Sequence, residues 1–181
     1  MEETRASAKR EEYTYSKTYF HIRTIFYAVL LLSAAIVFKS LSGDVLAWFL
    51  LLAALLTGML LVFGISPLLT CHWVTRNRLV LRRGWYFRAF IPIRDIEMVN
   101  VYEGEPRIGL SLSMRSSILF VTSGKYDLIE IRLKRPKRYP QMLGLSARRI
   151  VFNVEQRDAM LESLRSKISS LAPVEANGPE A

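Results

Sequence analysis

Two long stretches near the start of the chain contain no charged residue. They cover residues 24–38 and 45–63, and the second continues without charge to Val74. A helix of 19 residues, the length of the second stretch, extends about 28 Å, close to the ~30 Å hydrocarbon core of a bilayer. The pattern predicts two transmembrane helices, at about 22–39 and 45–66, joined by a short turn.

Apolar stretches of this kind also occur as core helices of soluble proteins and as secretory signal peptides. Two stretches so close together leave no room for a soluble layer to cover them, which disfavours a core helix. A signal peptide is disfavoured because Lys39 interrupts the stretch that resembles a cleavage site, Ser40-Leu41-Ser42. Glu11 and Glu12 also interrupt the basic region that precedes a signal sequence. A retained helical hairpin is the simpler interpretation.

Basic residues flank the apolar stretches on the outside, whereas the connecting loop holds only Lys39. The positive-inside rule therefore predicts a multi-pass protein of the cytoplasmic membrane with both termini in the cytoplasm and residues 40–43 outside. Neither stretch holds an acidic or basic residue, which argues against an ion pathway. The flanking residues are Arg5, Lys9, Arg10, Lys17 and Arg23 on one side, and Arg76, Arg78, Arg82, Arg83 and Arg88 on the other.

Beyond Ser66-Pro67 the pattern changes to short runs of β-branched and aromatic residues separated by turn residues. Runs spaced about ten residues apart predict an antiparallel meander closed into a barrel or sandwich of about seven strands. The predicted strands are Leu69–Thr75, Leu79–Arg83, Trp85–Ile93, Ile96–Tyr102, Leu110–Met114, Ile118–Thr122, Leu128–Leu133 and Ile150–Val154.

The C-terminal part has a helical period. Leu161, Leu164, Ile168 and Leu171 fall on one helical face, so an amphipathic helix is expected to cover the sheet. The predicted organisation is an N-terminal segment (1–21), two membrane helices with their turn (22–66), a β domain with its helix (67–171) and a disordered tail (172–181).

Composition places the excess charge in the β domain. The chain has 25 Lys+Arg, 16 Asp+Glu, one Cys and two His. Residues 71–181 hold 19 Lys+Arg against 11 Asp+Glu, which accounts for +8 of the formal +9. A single Cys excludes a disulfide within the chain and a zinc site built from cysteines, and two His leave little material for a histidine-rich metal centre. With no phosphate-loop or metal-binding motif in the sequence, no cofactor is expected.

Part of the β domain resembles the bacterial pleckstrin-homology (PH) family, which often follows a pair of transmembrane helices. The resemblance is carried by Trp73-Val74-Thr75-Arg76-Asn77-Arg78-Leu79-Val80-Leu81-Arg82-Arg83-Gly84 and by Ile91-Pro92-Ile93-Arg94-Asp95-Ile96, and extends over about residues 66–170. It implies a PH-like barrel capped by one helix and brings no catalytic residues.

Signatures of catalysis are missing from the sequence. There is no glycine-rich phosphate loop, no zinc-protease motif and no nucleophile elbow. His72 lies in a predicted strand, where a structural role is expected. Cys71 is expected to be a plain buried thiol rather than a palmitoylated one. A pair of carboxylates can perform acid–base catalysis, but positions at exposed strand ends and loops explain these four acidic residues more simply. They are Asp95, Glu97, Glu103 and Glu105.

Two basic clusters carry the functional prediction. By resemblance to eukaryotic PH domains, residues of the first hairpin would contact anionic lipid headgroups, and each cation near an anionic leaflet contributes about 1 kcal/mol. The same charges are also explained by the positive-inside rule and by solubility. The candidate residues are Arg76, Arg78, Arg82, Arg83 and Arg88 in the first cluster, and Lys134, Arg135, Lys137 and Arg138 in a predicted loop.

The sequence thus favours a non-enzymatic, membrane-anchored scaffold or interaction module that binds a protein partner, another copy of itself, or anionic lipid. An accessory subunit of a transport or envelope-maintenance complex is the first alternative, because neither apolar stretch holds an acidic or basic residue for independent transport. A membrane-bound enzyme is the second. Nucleic acid is disfavoured as a partner because the basic domain lies next to the predicted membrane helices.

Overall fold

The computed structural model describes residues 10–38, 45–114 and 116–171. The predicted external turn at 40–43 and the predicted disordered tail at 172–181 lie outside the described residues. The described chain consists of two long apolar helices followed by a mainly-β domain with two sheets and a C-terminal helix.

The two predicted apolar helices are confirmed. Helix α1 spans Thr18–Phe38, and helix α2 spans Val45–Met59 and continues through Leu60–Ile65 and Ser66–Leu68. Both are long and apolar enough to span a membrane, and only 11% of each apolar window is buried inside the protein. A core helix of a soluble protein would be mostly covered. Helix α1 begins at Thr18, four residues earlier than predicted.

The last part of α2 is wound as a π-helix over Leu60–Ile65. Pro67 lacks an N–H, and its ring clashes with the carbonyl group four residues earlier, which disfavours a regular α-helical turn at this point. The Ser66 N–H bonds instead to the Leu61 carbonyl oxygen, five residues back. The widened turn ends the helix where the β domain begins.

The first sheet has the strand order β1-β2-β3-β4 and is antiparallel. Its outer strand β1 comes from the N-terminal segment before α1, which the sequence analysis sets apart from the domain. Because β1 pairs with β2, the two helices are inserted between neighbouring strands of one sheet. The strands are β1 (Glu11–Tyr13), β2 (His72–Val74), β3 (Arg78–Arg83) and β4 (Phe87–Pro92).

The second sheet has the strand order β5-β8-β9-β7-β6, and its β7–β9 pair is parallel. The two sheets agree with the predicted mainly-β barrel or sandwich, but the parallel pair departs from the predicted antiparallel pairing, and the described residues contain nine strands rather than about seven. A PH-like barrel is not confirmed. The strands are β5 (Ile96–Val101), β6 (Gly109–Ser113), β7 (Ile118–Thr122), β8 (Leu128–Arg138) and β9 (Ser146–Asn153).

The core lies between the two sheets and beneath the C-terminal helix, Arg157–Leu171. That helix buries Met160, Leu161 and Leu164 on one face, as its period predicts. Its Lys167 Nζ donates to Glu11 Oε1 at 2.7 Å, which fastens β1 to the helix. The N-terminal strand is therefore part of the domain.

Candidate anion-binding surface

One end of the β domain contacts the helix pair. The turn after β3 reaches α2, where the Trp85 N–H donates to Ser66 Oγ at 3.0 Å and the rings of Tyr86 and Phe63 lie 5.4 Å apart. The other end of β3, at Arg78, is five residues away, about 17 Å along an extended strand. The two ends of β3 therefore differ in their distance from the helices.

The first predicted cluster divides between three places. Arg76, Arg78 and Arg88 are exposed and line one open depression of about 430 Å³. Arg82 is half-buried beside it. Arg83 is only 3% exposed and lies on the opposite, core face of β3, so the prediction that it belongs to a surface cluster is wrong. Strand alternation explains this, because residue 83 shares a face with Leu79 and Leu81.

The ring of Trp73 contacts three arginine side chains. The guanidinium carbons of Arg10, Arg82 and Arg88 lie 4.1, 5.5 and 5.4 Å from its ring centroid. Such contacts hold cations over an aromatic face. Arg82 and Arg88 are also direct cross-strand partners, an arrangement of like charges that costs free energy unless an anion offsets it. Arg10 comes just before β1. The pairing of β1 with β2 brings Arg10 to Trp73, although the two residues are far apart in the sequence.

The second predicted cluster lies in strand β8 rather than in a loop. Its register with β9 shifts between Arg132 and Lys137, and Pro136 lies inside this irregular section. A proline is tolerated in a strand at such a bulge because it has no N–H to donate. Together with Ile91, Asp95 and Leu133, the section lines a depression of about 530 Å³.

The two clusters meet across β4. Lys137 Nζ donates to the Phe90 carbonyl oxygen, and the Phe90 side chain lines the first depression. Arg94, which belongs to neither predicted cluster, lies beside Arg78 at a third depression. We call the combined area the β4 surface: Arg76, Arg78, Arg82, Arg88, Arg94, Lys134, Arg135, Lys137 and Arg138.

Positive charge on the β4 surface is almost uncompensated. Among the described residues, only Arg94 of this group lies within 4 Å of a carboxylate, the exposed Asp95 at 3.8 Å. Some other cations of the domain are paired, such as Arg149, which makes two bonds to Glu130, whereas others, including Arg107 and Lys125, have no carboxylate within 4 Å among the described residues. Since guanidinium groups bind carboxylate and phosphate oxygens in pairs, the β4 surface has the chemistry of an anion-binding site.

His72 lies on the face of the sheet opposite Trp73, near the helices, whereas Cys71 contacts Glu12 on the Trp73 side. The ring of His72 is buried, and its Nδ1 accepts a hydrogen bond from the Arg82 backbone N–H at 3.2 Å. Burial, together with the nearby Arg83 charge, lowers the pKa of His72 to about 3, so it is neutral at physiological pH. Cys71 is partly exposed, not buried as predicted, and burial together with Glu12 raises its pKa.

Comparisons with other proteins add no identification. The chain matches no family model, no curated protein and no solved structure. The resemblance to PH domains therefore remains a prediction from the residues.

Proposed function

We propose that this protein is a non-enzymatic, membrane-anchored interaction module whose β4 surface binds an anionic partner in the aqueous compartment. The single observation that carries the proposal is the set of exposed cations on both sides of β4 that have almost no acidic partners. Exposed charges left unpaired on one face form a continuous attractive potential for an anion.

The helix pair supplies the anchor in this proposal. Both helices are long enough to cross a bilayer and expose apolar side chains outward. The start of α1 follows β1, and the end of α2 leads into β2. Because β1 and β2 pair with each other, both lie on the same side of the membrane. The basic flanks favour the cytoplasmic side. Removal of α1 as a signal sequence would also remove β1, which favours retention of the hairpin.

The position of the β4 surface favours a soluble partner over the headgroups around the anchor. Arg78 and Arg94 lie at the end of the sheet opposite the turn that touches α2. The aromatic residue at that turn, Trp85, is exposed and suited to the membrane interface. The headgroups of the membrane that holds the helices would therefore contact the end of the sheet that carries Trp85 before they reach Arg78 and Arg94. An acidic protein segment, which can reach the far end, fits the geometry better.

The test uses the full chain in nanodiscs of neutral lipid, titrated with a fluorescent oligo-glutamate peptide. Anisotropy is measured at about 0.1 M and about 1 M salt, between which the screening length falls from ~10 Å to ~3 Å. Binding is expected at low salt and should be weak at high salt. Neutralising Arg76, Arg78 and Arg88 to Gln should weaken it about tenfold, at about 0.5 kcal/mol per contact.

A matched control changes three exposed cations away from the β4 surface to Gln: Arg107, Lys125 and Arg165. This variant has the same net charge as the triple variant of the surface. If both bind the peptide equally, the surface is not a site and the proposal fails. Flotation of the full chain on added anionic and neutral vesicles distinguishes lipid, since vesicle binding without peptide binding would identify lipid as the partner.

A further inference from the structure

One edge of strand β4 has no strand partner. It is the outer strand of the first sheet, where it pairs only with β3. The Ile93 N–H donates to the Asn77 carbonyl oxygen, and the register then turns the backbone groups of the odd-numbered residues of β4 toward β3. Since the backbone groups of successive residues point to opposite sides of a strand, those of Arg88 and Phe90 point away from the sheet.

Two side chains occupy part of this free edge. The Phe90 carbonyl oxygen accepts a hydrogen bond from Lys137 Nζ, and the Arg88 carbonyl oxygen accepts one from Gln141 Nε2 at 3.4 Å. Both donors therefore lie where the N–H groups of an added strand would lie. Lysine side chains commonly protect a sheet edge, but these two contacts cover only carbonyl groups. The N–H groups of Arg88 and Phe90 are left without a strand partner among the described residues.

The depression of about 530 Å³ lies between this edge and the end of β8. Pairing of β8 with β5 ends at Leu133, so the rest of β8 has a strand partner only on its β9 side. A lysine side chain, rather than a backbone hydrogen bond, joins β8 to β4. The two strands are therefore further apart than the ~4.8 Å that separates paired strands. An extended chain in the depression would run alongside β4.

We propose that β4 binds an extended acidic segment of a partner protein as an added antiparallel strand, in the depression between β4 and the end of β8. The inference rests on the proposed function and specifies the conformation and the sequence pattern of its anionic partner. In strand addition, main-chain hydrogen bonds supply affinity, and the alternate side chains supply specificity.

The direction of the backbone groups determines which residues of the segment are acidic. In an antiparallel pair, two opposite residues that exchange hydrogen bonds also point their side chains to the same face. The residues opposite Arg88 and Phe90 therefore point to the outer face, toward Arg78. The residues between them point inward, toward Ile91 and Leu133. The expected pattern alternates acidic and apolar residues, and the acidic residues donate the N–H groups that bond to β4.

A second copy of this chain fits the edge less well. Two β4 strands paired antiparallel would bring the Arg88 side chains of both copies to one face, and like charges across a strand pair are destabilising. An acidic segment reverses this term, because its carboxylates also offset the repulsion between Arg82 and Arg88. Charge complementarity therefore favours a separate acidic segment.

The test titrates the full chain in neutral nanodiscs with fluorescent peptides of alternating Glu and Val that match β4 in length, six residues. The alternating peptide should bind at least several-fold more tightly than a peptide with the same residues in two blocks, because only the first has all its carboxylates on one face. N-methylation of the Glu nitrogens should weaken binding about tenfold or more, since it removes the hydrogen bonds to β4. N-methylation of the Val nitrogens should weaken it much less.

Two substitutions at one position test the same bonds from the protein side. Phe90→Pro lacks the outward N–H and retains its pairing with β3, because an edge strand tolerates proline where the N–H faces away from the sheet. Phe90→Ala is the matched control, since it loses the ring and keeps the N–H. The proline variant should bind the alternating peptide several-fold more weakly than the alanine variant. If Phe90→Pro does not fold, the N-methylated peptides decide.

Equal affinity for the alternating peptide and both N-methylated peptides would overturn the added strand, and salt-dependent binding of all three would still support the proposed function. If no acidic peptide binds, the proposed function fails as well. Light scattering of the full chain in detergent micelles addresses the other occupant. A dimer that becomes monomeric in Phe90→Pro but not in Phe90→Ala would assign the edge to a second copy and overturn the proposal.

Discussion

Tyr15→Phe removes one hydroxyl group from the junction between the helix pair and the β domain. The Tyr15 hydroxyl donates to the Pro67 carbonyl oxygen at 2.6 Å and lies 2.7 Å from Thr70 Oγ1. All three groups are buried, so a lost bond is not replaced by water. Thr70 Oγ1 also lies 3.2 Å from the Pro67 oxygen and can satisfy it in part. One net hydrogen bond is lost, which costs about 1–2 kcal/mol.

The assay is thermal unfolding of the full chain in neutral nanodiscs. Each kcal/mol shifts the midpoint by roughly 2–8 °C in domains of this size range, so a loss of about 1–2 kcal/mol in Tyr15→Phe should lower it by roughly 2–16 °C. Tyr126→Phe is the matched control, because Tyr126 is 82% exposed. It should change stability by less than about 0.5 kcal/mol.

The same pair of proteins gives a pH dependence. Burial raises the pKa of Tyr15 to about 12, although its bond to Thr70 partly opposes the rise. An unfolded tyrosine ionises near pH ~10, so ionisation favours the unfolded chain as the pH rises from about 10 to about 12. Tyr15→Phe cannot ionise at this position, so it does not lose this stability. The difference in unfolding free energy between the variant and the wild type should therefore narrow between about pH 10 and about pH 12. The reasoning is refuted if, at pH 7, the midpoint of Tyr15→Phe equals that of the wild type or falls no further than that of Tyr126→Phe.

Two further substitutions test the attachment of β1 and of the β3–β4 turn. Glu11→Gln should destabilise the domain by about 0.5–1 kcal/mol at pH 7, since the carboxylate accepts bonds from Lys167 and Ser163. Burial alone would raise the pKa of Glu11, but these bonds lower it overall, so the stabilisation is lost as the pH falls below about 4.3. Gly84→Ala should cost about 1–3 kcal/mol, because φ is +62° and a Cβ would overlap Ser66 Oγ. Urea unfolding at pH 7 and pH 3 measures the first effect, and thermal unfolding measures the second.

Controls separate these effects from general damage. Glu12→Gln changes a more exposed carboxylate of the same strand and should show a smaller loss at pH 7. Gly124→Ala adds a Cβ that meets only ordinary contacts, at 3.7 Å or more, and should be nearly neutral. If Gly84→Ala is as stable as Gly124→Ala, the tight approach of the turn to α2 is wrong.

The sequence predicted the elements that have a strong local pattern. Two charge-free stretches indicated the helices, and the apolar period indicated the C-terminal helix. Strand β1 was missed because Glu11-Glu12-Tyr13 is short and charged, and its partner strand lies about 60 residues later. The parallel pairing of β7 with β9 was also not predicted, since both runs are apolar and periodicity does not encode the neighbour.

The candidate site was predicted only in part, for identifiable reasons. Pro136 suggested a loop, although β8 continues past it through an irregular register. Arg94 was overlooked because it lies outside the sequence clusters and joins the β4 surface only in the folded chain. Arg10, which contacts Trp73 beside that surface, lies far from the clusters in the sequence. The burial of Arg83 could have been predicted, because strand alternation places it with Leu79 and Leu81.

The central claim is that the helix pair is an anchor inserted between two paired strands of a domain that binds through its own surface. The most direct test replaces residues 17–69 by a Gly-Asn-Gly turn, which is feasible because Tyr13 and His72 are cross-strand partners. The shortened chain is expected to be soluble and folded, with dispersed amide resonances, and to bind the oligo-glutamate peptide as tightly as the full chain. A folded shortened chain that no longer binds the peptide, or one that does not fold, would contradict the account.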